Sequence, residues 1–579
     1  MLRILKGGLH EGRHDVSHFG NAIGRGVFTD AGQLTVVTGS DGFRCTSYKE
    51  HNSKSGRNYA KAKLMNLFSL FFVISRFWHQ NCSLNRRHWI REKVLVNVYI
   101  KTLRGGLMGT LQKSLRTRHI TMISIGGVIG TGLFVGTGKN ILSTGPAAVV
   151  SYAIACLLIV LVMQMVGEMA AGEIVLGKKS GGSVELGSFA SYAGKYIGPW
   201  AGFTVGWLYW ASWVFIVGLE AALIGGMLHN WFPVIPIWVG SVGVTLLMTI
   251  INIYSVKSFG EFEYWLSFIK VTAIIVFLVV GTAMIFGIWP NYEPKGLGIL
   301  TGYGGFAPNG IVPILTAIVF VIFSICGAEV AAIAAAESDN PAKNIVRAIR
   351  NVVFRLGLFF VGSVAIMIMI LPWNDSKLLA APYANILTIA GLPIAAQIIQ
   401  VVIFISLISV LNSALYTSSR MLLEMARQGN APKIFSYIKN RRGAPVPAII
   451  GSTVVAYICA MLYFISPEVI FYFLGNCVGG LMIVVYIFIA ISQIRFRRYY
   501  DNVSGERLSI KMWLFPYLSY VTIGILTVVY LCQMIIESLR PQFYLSTLVL
   551  IGSIVLFFIM RKVSSRRPVE QIEEKLISE

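Results

Sequence analysis

Charge is scarce in this chain: 13% of its 579 residues are charged, about half the quarter usual in a soluble domain. A soluble core does not absorb the 55% that is hydrophobic, whereas a bilayer does, since about 20 apolar residues cross a hydrocarbon core of about 30 Å. Acidic residues are scarcer than basic ones, 26 against 49, which leaves a net charge of +23. The basic residues sit in short loops between apolar runs, so the excess reads as a topology signal and excludes nucleic acid as a partner. Cysteine is sparse and unpatterned: Cys45, Cys82, Cys156, Cys326, Cys459, Cys477 and Cys532 show no CxxC or other ligand spacing. Neither a disulfide nor a metal or other cofactor is expected. GxSxG, HExxH and phosphate-loop motifs are missing, as are paired catalytic carboxylates in the interfacial segments, which argues against a membrane enzyme. A channel would need a filter or a ring of pore charges, and none is found.

What the chain does have is a succession of apolar runs of spanning length from His119 onward, about twelve, separated by turn residues. Spans 1 to 6 are placed at 119–138, 146–168, 198–228, 235–254, 262–287 and 311–336, and spans 7 to 12 at 352–372, 393–420, 446–465, 468–492, 513–535 and 541–561. Every second loop is basic, with Lys178 and Lys179 after span 2, Arg347 and Arg350 after span 6, Arg441 and Arg442 after span 8, and Arg497 and Arg498 after span 10. Because Lys and Arg are retained on the cytoplasmic side, both termini are expected in the cytoplasm, with residues 562–579 as a tail.

Residues 1–107 are of another kind. They carry 17 Lys and Arg against 6 Asp and Glu, hold six of the eight histidines, and contain one apolar run, 64–78, interrupted by Arg76. That run is too short to span, and no charged start leads into an apolar core and a small-residue cleavage site as in a signal peptide. We expect the working chain to start at Met108, and residues 1–107 to be a basic extension without a packed core or the product of an upstream start. A soluble regulatory domain is the alternative.

The chemistry lies inside the spans. Span 1 contains Gly126, Gly127, Gly130 and Gly132, four glycines within seven residues, and each interior glycine weakens a helix by about 1 kcal/mol against alanine. A break here exposes N–H groups that suit a carboxylate and frees carbonyls that face a cation. Glycines spaced four apart also serve close helix packing, and the spacing alone leaves both readings open. Span 6 carries Ser324, Gly327 and Glu329; a carboxylate at that depth is paired, hydrated or protonated. Spans 1 and 6 each open a possible five-helix unit, and matching interruptions there favour a binding site between two discontinuous helices. Glu329 as a buried interhelical hydrogen-bond partner is the plainer reading. Lys270 in span 5 lies about 12 Å deep at 1.5 Å per residue, so it either snorkels to the interface or stands as a fixed ammonium in a cation site. Glu220 in span 3 and Glu168 near the end of span 2 are further membrane carboxylates, the second placed for a contact on the cytoplasmic side.

These segments together resemble the amino acid permease family of the amino acid, polyamine and organocation transporters. The resemblance runs from Leu111 to Arg561 and rests on RHITMISIGGVIGTGLFVGTG, GPA at 145–147, GEM at 167–169, SVKSFGEFEYW from Ser255 and WN at Trp373. AAAESDNPAKNIVRAIRNV after span 6 and LNSALYTSSRMLLEMARQGNAP at the end of span 8 look most like the bacterial γ-aminobutyrate permeases. The resemblance implies an all-α polytopic fold, a five-plus-five inverted repeat with spans 1 and 6 broken plus two extra helices, and proton-coupled uptake of an amino acid across the inner membrane. It further implies that Gly127, Gly130, Thr131 and Gly132 receive the substrate carboxylate, that the stretch from Ser324 through Gly327 to Glu329 receives the amine, and that Lys270, with Glu220, serves coupling in place of sodium. Proline or another neutral or cationic amino acid is the alternative substrate. A membrane sensor on the same fold, read out by residues 1–107, is the alternative of another class.

Overall fold

The computed structural model describes residues 27–28, 34–35, 129–180, 188–254, 256–290, 292–327, 329, 355–438, 444–463, 467–504, 506, 508 and 510–578. The chain divides into two units, Met1–Val98 and Tyr99–Glu579. In the first, the described residues form one short antiparallel pair, Val27–Phe28 with Leu34–Thr35. In the second, every secondary-structure element among the described residues is a helix.

Each apolar run carries a helix. The described part of span 1 holds the helices Thr131–Phe134 and Gly136–Thr144, and span 2 is Ala148–Ser180. Spans 3, 4 and 5 are Pro199–Trp231, Ile237–Tyr254 and Val256–Ile285, and span 6 runs from Ile311 to Ile325. Span 7 includes a π-helical turn, Gly357–Val361, before Gly362–Ile370. Spans 8 to 12 are Pro393–Arg427, Val446–Tyr463, Pro467–Val503, Tyr517–Ile535 and Arg540–Ser578. Among the described residues eight helices are long and apolar enough to cross a membrane, and Ile311–Ile325, Gly357–Ile370 and Val446–Ile458 are shorter apolar helices. The protein is therefore a multi-pass helical membrane protein.

Several boundaries differ from the sequence reading. Span 1 does not stop at residue 138, because Lys139 and Asn140 are accommodated: Lys139 Nζ lies 3.8 Å from the Tyr472 ring centroid, and Asn140 Nδ2 donates to Tyr152 Oη at 3.3 Å. The helix runs to Thr144 and turns into span 2 through Gly145–Ala147. The loop 373–392 also holds helices, Lys377–Ala380 and Pro382–Ile389, which send Tyr383 into the bundle against Phe134 and Phe277.

Burial sorts the spans. Of the most apolar stretch, 83% is buried in span 10 but 17% in span 12, so span 10 is interior while span 12 exposes Leu548, Ile551 and Phe558 on a face suited to lipid. Spans 2, 8 and 10 all overrun their predicted ends into the basic loops, where the short helix Phe189–Tyr196 joins them. There Glu168 is fully buried and accepts from Arg497 and, at 2.5 Å, from Gln493, whose Oε1 accepts from Ser519 at 2.9 Å. Spans 2, 10 and 11 are thus tied at their basic end. Nearby, Lys195 Nζ and the Tyr196 hydroxyl both donate to Glu173. Burial, reinforced by the Glu173 charge, holds the Tyr196 phenol far above its ordinary range, which keeps it a neutral donor.

Candidate functional site

The two interrupted spans meet at their interruptions. Gly130 is extended, and its carbonyl accepts from the Leu133 and Phe134 N–H groups where a helix starts at Thr131. A Cβ on Gly132 would stand 2.3 Å from Ser324 Cβ and 2.4 Å from its Cα, and one on Gly136 would stand 2.3 Å from the Phe320 ring. No side chain fits between these backbones. Gly132 thus packs directly on the span 6 backbone, two residues after the extended Gly130, and Gly136 packs on a span 6 ring. Gly127 lies outside the described residues.

Span 6 ends at Ile325. Cys326 leaves the helix with ψ 128°, and Gly327 takes φ +121°, a conformation that L side chains rarely adopt. Glu329 folds back on this break. Its Oε2 accepts from the Gly327 N–H at 3.2 Å and its Oε1 accepts from Cys326 Sγ at 3.4 Å. The Ser324 hydroxyl donates to the Phe320 carbonyl at 3.0 Å within its own helix.

Lys270 does not snorkel. It is fully buried, and Nζ donates to the carbonyl of Ile129 at 3.1 Å and to Ser409 Oγ at 2.7 Å. The carbonyl freed by the span 1 break thus faces an ammonium, and that ammonium bridges spans 1, 5 and 8. Glu220, also buried, accepts from the Thr131 hydroxyl at the start of the resumed helix. Thr131, Glu220 and Lys270 therefore all converge on the same break.

The sequence reading missed Glu263 and Ser409. Glu263 is fully buried, its Oε1 lies 3.9 Å from Lys270 Nζ, and it accepts from Ser409 Oγ and, at 3.2 Å, from Ser267 Oγ. Glu263, Ser267 and Lys270 fall at i, i+4 and i+7, one face of a helix. That spacing was available in EFEYWLSFIK, residues 261–270, as a signal; the partner hydroxyl on span 8 had none.

This defines a class: a polytopic helical membrane protein in which the helix starting at Thr131 and the helix ending at Ile325 pack glycine on backbone, with buried carboxylates and the buried ammonium of Lys270 beside them. Comparison with known proteins agrees. The amino acid permease family model matches residues 119–574. The chain is 46% identical over 468 residues to the gamma-aminobutyric acid permease of Bacillus subtilis (strain 168), which covers 80% of this chain and 97% of that protein. It is 40% identical to the gamma-aminobutyric acid permease of Escherichia coli (strain K12), with 77% and 94% covered, and 37% identical to the aromatic amino acid transport protein AroP of Corynebacterium glutamicum, with 77% and 94% covered. The chain belongs to the amino acid permease family, whose members are transporters and not enzymes.

Proposed function

We propose that the protein carries γ-aminobutyrate into the cytoplasm together with protons, by alternating access across the inner membrane. The substrate is taken from the relatives at 46% and 40% identity that are named for it. The observation that carries the reading is the meeting of the two breaks, Gly132 on Ser324, beside the ammonium of Lys270. The unwound segment of span 1 at Gly127, Gly130, Thr131 and Gly132 takes the substrate carboxylate on backbone N–H groups. The span 6 break at Ser324 and Gly327 takes the ammonium on freed carbonyls, with Glu329 holding that backbone. Three methylenes separate the two charged ends of γ-aminobutyrate, which suits partners on two different spans. Lys270 and Glu220 serve coupling: a protein-borne ammonium on the Ile129 carbonyl occupies the place a coupling cation would take. The basic ends of spans 2, 8 and 10 face the cytoplasm, as do both termini. Residues 108–561 form the transport unit, and full uptake by a chain lacking residues 2–107 is the corresponding expectation.

The test is uptake of labelled γ-aminobutyrate into proteoliposomes with a proton gradient and without sodium, against proline, lysine and aromatic amino acids as competitors. γ-Aminobutyrate is expected to compete best. Stronger competition by an aromatic amino acid, the substrate class named for the 37% relative, overturns the substrate. An absolute requirement for sodium at a fixed proton gradient overturns the coupling.

A further inference from the structure

We infer that Glu263, reached through Ser409, takes the coupling proton from Lys270 and passes it toward the basic end of the bundle. The inference rests on the proton-coupled reading above and supplies the exit step that reading lacks.

The donor order is complete. Lys270 Nζ donates to Ser409 Oγ at 2.7 Å, and the Ser409 hydroxyl donates in turn to Glu263 Oε1. One concerted shift along these bonds moves a proton from Nζ to Oγ while the hydroxyl proton moves from Oγ to Oε1. Lys270 becomes a neutral amine, Glu263 a carboxylic acid, and Ser409 is unchanged. The net charge of the cluster is conserved, and a buried ion pair becomes two neutral groups, which removes the charge separation that a low-dielectric interior disfavours.

The direction follows from the helix. Glu263 precedes Lys270 by seven residues in span 5, so it lies roughly 10 Å nearer the basic end at 1.5 Å per residue. Polar groups continue that way. Asn412, one turn beyond Ser409 in span 8, stands beside the Glu263 carboxylate, and its Oδ1 accepts from Asn252 Nδ2 of span 4 at 2.7 Å. Glu263 Oε2 and Asn252 Oδ1 are buried with no hydrogen-bond partner among the described residues. Buried polar atoms left unpaired in a folded protein are few and call for a reason, and Asn412 links the residues that carry these two, standing beside Glu263 and bonding Asn252. Among the described residues the charged groups acting on Lys270 are Glu263 and Glu220, and the one acting on Glu263 is Lys270. Glu220 holds Thr131 at the substrate side, so the two carboxylates divide into one that meets the break and one that leads away from it.

A merely structural ion pair between spans 5 and 8 would show the same contacts, so the test separates coupling from transport. Proteoliposomes holding a pH-sensitive dye report proton entry per labelled γ-aminobutyrate, and exchange of internal for external γ-aminobutyrate, which moves no net proton, reports the rest of the cycle. Wild type is expected to show substrate-driven proton entry; its absence refutes the proton-coupled reading itself, and the relay with it. Given that entry, Glu263→Gln is expected to lose net accumulation about tenfold or more, and exchange no more than about threefold, with exchange no longer varying with internal pH. Ser409→Ala, which keeps both charges, is expected to do the same, and Ser409→Thr, which restores a hydroxyl, to recover proton entry. A wild-type ratio of protons to substrate in either Glu263→Gln or Ser409→Ala overturns the relay. If Glu263→Gln loses exchange as well, Ser409→Ala decides.

Discussion

Glu329 and Glu263 are both fully buried carboxylates beside a broken or ligand-facing span, yet they are held in opposite ways. Glu329 is satisfied within three residues of itself, by the Gly327 N–H and the Cys326 thiol. Glu263 is satisfied across the bundle, by a hydroxyl on span 8 and an ammonium two turns along its own span. The first carboxylate is a cap on a break, and the second is one member of an interhelical network. A cap protects a backbone shape, whereas a network stores charge that moves when one member changes its proton.

The sharpest way to break that contrast is to remove the ammonium. Lys270→Ala leaves Glu263 and Glu220 buried without their cation, and breaking a buried pair on one side costs about 3–5 kcal/mol. Accumulation of γ-aminobutyrate driven by a proton gradient is expected to fall about 100-fold or more. Uptake into proteoliposomes, alongside a thermal melt in detergent to check folding, measures it. Accumulation within about twofold of wild type would mean that the network carries no coupling charge.

A smaller effect is expected from the backbone contact between spans 1 and 6. Gly132→Ala puts a methyl 2.3 Å from Ser324 Cβ and 2.4 Å from its Cα, whereas Gly130→Ala meets the end of a side chain, Val410 Cγ2 at 2.6 Å. A side-chain tip gives way more readily than a backbone atom, so Gly132→Ala should show the full overpacking penalty of about 1–3 kcal/mol and Gly130→Ala less. The two melting temperatures measure the difference, and equal shifts would show that spans 1 and 6 adjust as rigid rods.

These contacts also show what the sequence makes legible. The spans follow from apolar length, and the helix start at Thr131 and the helix end at Ile325 sit beside local features, the glycine cluster at 126–132 and Gly327 with Glu329 close behind it. The fate of Lys270 is not local. Its partners come from Ile129, Ser409 and Glu263, and the Ile129 carbonyl and Ser409 lie 141 and 139 residues away, so periodicity in span 5 carries no trace of them. Ser409 is one serine among several in span 8, distinguished from the rest by the neighbours the fold brings to it. The length of span 1 was misjudged for the same reason, since Tyr472 and Tyr152 make Lys139 and Asn140 acceptable inside a helix.

The gentlest change tests the other half of the comparison. Glu329→Gln removes the anion but keeps an oxygen that accepts from the Gly327 N–H, so the break should persist with a hydrogen bond to a neutral group in place of a charged one, a loss of about 1 kcal/mol. If Glu329 is only a cap, γ-aminobutyrate and butyrate, which share a carboxylate and differ in the ammonium, should both weaken by the same factor of about fivefold or less. If its charge also reaches the ammonium across the span 6 break, γ-aminobutyrate should weaken and butyrate should not, because butyrate offers nothing for that charge to attract. Competition by both ligands against labelled γ-aminobutyrate, in wild type and in Glu329→Gln at one pH, separates the two. We expect the selective loss, since Glu329 is held at Gly327, three residues beyond the Ser324 that packs on Gly132 of span 1. An equal loss would leave Glu329 with the backbone alone and would move amine recognition entirely onto the carbonyls of Ser324 and its neighbours.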